Sequence, residues 1–396
     1  MFQCNVIGID TAKSSFEIFE WKDEKVQMQR SLPRKKIAEF FQKMEKKTLI
    51  MEACGGSHYW GRLFTKMGHN VKLIAPQKVT PFRMAHKNDK NDARAVALAG
   101  VCPNMKFVPI KESWQQDILS IHRIRERLMG NQTSLINEIR GLLQEYGIVI
   151  PVRANNLRSH LADPATLADQ NISPLMRRQV VALHDELLQV TTRIEQCDKD
   201  LESFHKESDA SQRIAKIEGI GLITATAIAA SCPNPDVFKN GREFSCWLGL
   251  VPGHTQTGGK DSKPKMLGIT KKGDKYLRKL LVQGSMATIA TMNKAIRIKT
   301  AAEELKQTTK TDIPTMPRIA TTSVANHPGR KRKKFVSRAK DKSQSRLEWL
   351  HRLVKEKGTQ KAAVALANRN ARVIWALLKT KQSYDPKRGG GISHAA

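Results

Sequence analysis

Three short apolar runs set the tightest limit on the fold. Residues 6–10 (VIGID), 48–53 (TLIMEA) and 70–75 (NVKLIA) are too brief for helices and too apolar for a surface, so they predict buried strands. Residues 15–21 and 25–30 predict two further strands joined by the Lys22-Asp23-Glu24 turn, so that a three-strand meander comes first. Helices are expected over 33–46, 57–67 and 88–101, the last rich in alanine.

That succession of strand, strand, strand, helix, strand, helix, strand, helix is the order of an α/β domain of ribonuclease H-like type. Beyond it the period changes. Ile118, Ile121, Leu128, Leu135, Ile139 and Leu142, then Leu183, Leu187, Val190, Ile194 and Leu201, recur at helical spacing in two long stretches joined by a Pro-containing segment. The pattern suits an antiparallel coiled-coil arm or an ordinary helical bundle. A mainly helical region opens at 217–221 (IEGIG), runs through a Gly- and Lys-rich loop at 253–275 and enters a helix from 274 to about 305. Residues 306–345 lack periodic apolars, hold Pro314, Pro317 and Pro328 and carry the run RKRKK at 330–334, so they read as a basic, disordered insert. Helical spacing returns at 347–357 and 360–378. The expected division is an α/β domain at 1–110, a helical arm at 111–207, a C-terminal domain at 208–384 and a flexible tail at 385–396.

Charge narrows the function. With Lys+Arg 68 against Asp+Glu 37, the chain carries a formal net charge of +31, a surplus that repels itself unless phosphates neutralise it. Nucleic acid is the expected partner, as it also would be for a ribosomal or packaging protein. The six cysteines are scattered without zinc-ligand spacing, and no run reaches the eighteen or so apolar residues that cross a membrane. A cytoplasmic protein with reduced thiols and no membrane partner is expected.

Against that background the acids stand out. Asp10 ends one buried strand and Glu52 sits near the end of another, where an unserved glutamate would be a costly burial. Asp89 and Asp92 lie three apart in a predicted helix and project from one face. Four carboxylates converging in so basic a chain would repel one another without a counter-ion. They suit Mg2+ or Mn2+, which take oxygen ligands and leave positions for phosphate.

The stretches 7–13 (IGIDTAK), 51–55 (MEACG) and 87–93 (KNDKNDA) resemble the N-terminal DEDD domain of the insertion-sequence family 110 transposases. The likeness continues in 217–227 (IEGIGLITATA), 244–259 (FSCWLGLVPGHTQTGG), 267–281 (LGITKKGDKYLRKLL) and 362–377 (AAVALANRNARVIWAL), most like subgroup 1111. The resemblance implies a RuvC-like fold, a metal-binding tetrad of Asp10, Glu52, Asp89 and Asp92, and a C-terminal domain that supplies a serine nucleophile. The matching loop here, 254–260 (HTQTGGK), holds no serine. Thr257 is the nearest hydroxyl, with Thr255 and Ser262 as weaker substitutes. Threonine chemistry, another alignment of the loop, or a copy that binds without cleaving are the three readings.

Gly219 and Gly221 before a helix fit a helix-hairpin-helix element, whose N–H groups can hold a phosphate, and they equally fit a tight packing turn. Lys260, Lys271, Lys272, Lys275 and Arg278 are candidate phosphate contacts. The leading expectation is a DNA recombinase acting on element ends and target, assembled as a dimer or tetramer. In the resembled family target choice is attributed to a structured guide RNA, which makes RNA an expected partner. A metal-dependent junction-resolving endonuclease and a non-catalytic nucleic-acid-binding protein are the competing readings.

Overall fold

The three apolar runs become the parallel centre of a six-stranded sheet. The structure, a computed structural model, describes residues 5–22, 25–83, 89–151, 157, 159–161, 172–232, 234–255, 265–311 and 342–385. It falls into two units, Met1–Asp117 and Ile118–Ala396.

In the first unit, β1 (Val6–Thr11), β2 (Ser15–Lys22) and β3 (Lys25–Pro33) form the expected antiparallel meander. It is followed by α1 (Ile37–Lys43), β4 (Thr48–Glu52), α2 (Ser57–Lys66), β5 (Asn70–Ile74), the short α3 (Pro76–Val79), α4 (Asp89–Val101) and a two-residue β6 (Phe107–Val108). The sheet order is β3-β2-β1-β4-β5-β6, with β1, β4 and β5 parallel.

Alternation along the strands sends Ile7, Ile9, Leu49 and Met51 to one face, where they meet Phe41 of α1 and Trp60 and Phe64 of α2. Val6, Ile50 and Ile74 go to the other face, against Ala93, Val96 and Ala97 of α4. Each fully buried Ile, Leu or Phe stabilises this layering by about 2 kcal/mol. The alanines of α4 let it lie flush on the sheet, and Gly8 completes the fit. A Cβ at Gly8 would stand 2.3 Å from the Ala93 carbonyl oxygen and 2.6 Å from the Ala97 nitrogen.

The second unit contains most of α5 (Ser113–Gln144) and all of α6 (Pro174–Glu207), which run antiparallel. Arg125 pairs with Asp198 at 2.5 Å, and Gln132 donates to Thr191 at 2.9 Å. Seven residues forward on one helix is therefore seven back on the other. Leu143 is fully buried and Leu142 only half-buried, because the 3.6-residue period carries the apolar face from Ile139 past 142.

Then come α7 (Asp209–Ala215), α8 (Leu222–Ser231), α9 (Gly241–Trp247), the antiparallel pair β7 (Pro252–Thr255) and β8 (Lys265–Ile269), α10 (Lys275–Thr311), α11 (Lys342–Lys357) and α12 (Thr359–Thr380). Ile214, Ile228, Phe244, Leu248, Leu281 and Ile374 centre their core. Where a basic insert was expected over 306–345, α10 continues to Thr311 and α11 begins at Lys342. Residues 312–341, like the tail from 386, lie outside the described residues.

His122 on α5 is buried between the Tyr276 hydroxyl (3.0 Å) and the Thr226 hydroxyl (3.1 Å). Thr226 gives its proton to the Leu222 carbonyl at 2.9 Å, so towards His122 it accepts. Nε2–H therefore donates to Thr226, and Nδ1 accepts from Tyr276. Burial, with Arg125 nearby, holds the imidazole down to about 4, and burial pushes the Tyr276 hydroxyl up to about 12, so the trio is neutral. Among the described residues no helix is long and apolar enough to cross a membrane, and Cys54, Cys102, Cys197, Cys232 and Cys246 are free.

Candidate active site

Parallel pairing of β1 with β4 puts Ile9 beside Met51, so the next residues along, Asp10 one short of the end of β1 and Glu52 at the end of β4, stand at the same level. Asp10 shares a face with Gly8, and Glu52 shares one with Ile50. That is the face on which α4 lies, since Gly8 sits under Ala93 and Ala97 and a Cβ at Gly100 would meet Ile50. Asp92 precedes Ala93 and is itself buried at 7% exposure. The strand ends are tied by a 2.9 Å contact between the Thr11 hydroxyl and the Cys54 thiol, and by the Ala53 N–H donating to the Ile74 carbonyl at 2.8 Å. Thus three acids from β1, β4 and α4 lie on the α4 side of the sheet, Asp10 and Glu52 at the C-terminal ends of its two central strands. Asp89 opens α4 three residues before Asp92, and its side chain lies outside the described residues.

Arg83 is the group that sequence reasoning missed. Its Nη2 donates to Glu52 Oε2 at 2.8 Å and its Nε pairs with Asp92 Oδ1 at 3.1 Å. The two acid side chains are 15% and 10% exposed and that of Arg83 is 35%. One guanidinium therefore bridges carboxylates from a strand and a helix, occupying the position of a cation between them. Among the described residues no three His, Cys, Asp or Glu are gathered closely enough to hold a metal ion. The donor set nevertheless suits a hard cation: its oxygens are charged, come from separate rigid elements, and already bind a positive group.

In the second unit, Gly219 (φ +82°) and Gly221 shape the turn between α7 and α8. Gly219 serves close packing: a Cβ there would lie 2.4 Å from the Thr288 hydroxyl, and one at Gly284 would lie 1.8 Å from the Gly219 carbonyl oxygen. Gly221 precedes α8 with no side-chain cap, leaving first-turn N–H groups beside an open cleft of about 650 Å3 that Lys216 helps to line. Buried Arg346 fixes this turn from α11, pairing with Glu218 at 2.9 Å and donating to Asn370 at 2.7 Å, while Tyr384 donates to Glu218 at 3.0 Å.

Lys271, Lys272 and Lys275 are exposed ahead of or at the start of α10. Arg278 is instead half-buried and donates to the Leu248 carbonyl at 3.1 Å, bracing the turn at Gly249. The Gly- and Lys-rich loop is partly a β-hairpin, which its composition did not announce. His254 and Thr255 are exposed on β7, and Thr257, Lys260 and Ser262 lie outside the described residues.

Residues 7–148 match the transposase family model for DEDD enzymes of IS110 type, and residues 211–300 match the Transposase IS116/IS110/IS902 family. The chain is 34% identical over 382 residues to a family 20 transposase of Pseudomonas aeruginosa, covering 96% of this chain and 98% of that protein. It is 33% identical over 389 residues to the transposase for insertion sequence element IS1111A of Coxiella burnetii, covering 97% and 92%. With the transposase for element IS1328 of Yersinia enterocolitica it shares 33% identity over 279 residues, 70% of this chain and 82% of that one. Carboxylates on a mixed α/β sheet, a mostly helical second half and these likenesses agree: the chain belongs to the IS110 family of insertion-sequence transposases and is a DNA transposase.

Proposed function

We propose that the chain cuts and rejoins DNA at the ends of its element and at a target, using Asp10, Glu52, Asp89 and Asp92 to hold Mg2+ or Mn2+ and Thr257 as nucleophile. The observation that carries this reading is the placement of Asp10, Glu52 and Asp92 on the α4 side of one sheet, with a cationic group between Glu52 and Asp92. The β3-β2-β1-β4-β5 order supports a RuvC-like fold for residues 1–110. When bound, the divalent ions would supply charge neutralisation at the scissile phosphate. Asp10 and Glu52 are fixed by strand pairing and Asp92 by α4, so the acids present their oxygens with little reorganisation.

Thr257 Oγ attacks phosphorus, a P–Oγ bond forms, and one P–O bond to sugar breaks. The threonine proton passes to solvent and the departing sugar oxygen takes one up. Reversal by another strand's hydroxyl rejoins DNA without an external energy source. Lys260, Lys271, Lys272 and Lys275 hold phosphates, as do the N–H groups after Gly219 and Gly221, which we read as a helix-hairpin-helix element within residues 208–384. Arg278 acts more on the fold than on DNA.

Residues 111–207 form a coiled-coil arm in this reading, supported by the alternation of three and four residues from Val180 through Leu183, Leu187, Val190, Ile194, Cys197 and Leu201. Copies of the chain join through it, so that acids and hydroxyl can come from different copies of a dimer or tetramer. The net charge of +31 leaves capacity for a structured guide RNA beside DNA. The test is denaturing electrophoresis of the protein with labelled element-end DNA and Mg2+. A covalent protein–DNA adduct that disappears in Thr257→Ala is expected. Cleavage without any adduct, unchanged in Thr257→Ala, would instead mark hydrolysis by activated water, as in a junction nuclease.

A further inference from the structure

We propose that Arg83 is the built-in counter-ion of the carboxylate site: it holds Glu52 and Asp92 in the metal-free protein and must leave before a divalent cation can bind them. The inference rests on the metal-binding reading of those acids.

The geometry is that of a competitor. Arg83 reaches Glu52 Oε2 with Nη2 and Asp92 Oδ1 with Nε, so its two contacts use oxygens from both elements that would ligate the ion. A guanidinium and a divalent cation placed between the same two carboxylates compete for their negative charge, and their own charges repel. The burial is unequal in the direction an exchange needs. Glu52 and Asp92 are held at 15% and 10% exposure by strand and helix, while Arg83 is 35% exposed. The acids stay and the arginine can go.

Its departure without replacement would leave two poorly solvated carboxylates unpaired, an unfavourable state. A cation therefore always neutralises the pair, and metal loading becomes an exchange of one cation for another. Once released, Arg83 stands beside the site as a planar donor suited to a phosphate oxygen pair.

Mn2+ titration of the full-length protein without DNA, followed by electron paramagnetic resonance of the free ion, tests this. Arg83→Gln should bind Mn2+ roughly tenfold more tightly than wild type, the order expected for removing one partly buried ion pair. Arg83→Lys, which keeps a charge and loses the two-pronged fork, should lie between them. A folded Arg83→Gln protein that binds Mn2+ equally or more weakly overturns the proposal. Should that variant not fold, Arg83→Lys decides, tighter binding supporting the exchange and equal or weaker binding rejecting it. Asp92→Ala separates the two levels of the argument. Mn2+ binding lost in Asp92→Ala yet indifferent to Arg83 rejects the counter-ion alone, whereas binding indifferent to Asp92 and Asp10 rejects the metal site beneath it.

Discussion

Arg83 lies between Glu52 and Asp92 with a third of its side chain in solvent, whereas His122 lies between Tyr276 and Thr226 with almost none. The first cluster is charged and stands at the end of an inner strand; the second is neutral, and both ring nitrogens have a hydroxyl partner. Burial decides between the two plans. A charged group can be kept where water, metal or phosphate can replace its partner, and a sealed joint between α5, α8 and α10 must hold its histidine without the second proton that would charge it.

The comparison breaks most sharply under acid. His122 has a folded value of about 4 against an ordinary value of 6.5. Above pH 6.5 both folded and unfolded forms are neutral, and the full stability is present. As pH falls from 6.5 towards 4, the unfolded chain takes up a proton that the folded one refuses. Stability is lost over that window by about 3 kcal/mol and no further below it. Denaturant titrations at pH 7 and pH 4.5 should show this loss in wild type and a smaller one in His122→Gln. Equal losses would mean that the histidine is not sealed as described.

Backbone contacts should cost somewhat less. Gly8→Ala forces a methyl against the Ala93 carbonyl in the first unit, and Gly284→Ala forces one against Gly219 in the second. Each should lower unfolding free energy by about 2 kcal/mol, and Gly8→Ala should also impair cleavage because it displaces α4 and Asp92. Normal melting of Gly8→Ala would show that α4 does not rest on β1 so closely.

The smallest effects belong to the exposed lysines. Lys271→Ala and Lys272→Ala should each reduce the salt dependence of DNA binding by about one unit of slope, equally for all sequences, without changing stability. Arg278→Ala should lower stability more than it changes the salt slope, since its Nη1 holds the Leu248 carbonyl. Filter-binding at several salt concentrations, with melting curves alongside, distinguishes them.

Much of the first unit was legible because period and burial coincide there. Residues 6–10, 48–53 and 70–75 are mainly apolar because both faces of their strands are largely covered, and Glu52 stood out as an acid inside such a run. The two residues of β6 are too few to carry a period. The β7–β8 pair is short and largely exposed, with a Gly in each strand, so no alternation marks it. Arg83 gave no signal, since nothing local ties an arginine to acids 31 residues before and 9 after it. His122 did leave one, four residues after Ile118 on a face that turns out to be buried.

Cleavage of labelled element-end DNA in Mg2+ by wild type and Asp92→Asn, with DNA binding and thermal unfolding measured on the same preparations, tests the carboxylate site most directly. The account predicts cleavage down by roughly 10^3-fold or more with binding essentially kept, the scale of losing several kcal/mol of transition-state stabilisation. Cleavage at the wild-type rate by a folded Asp92→Asn protein would contradict it.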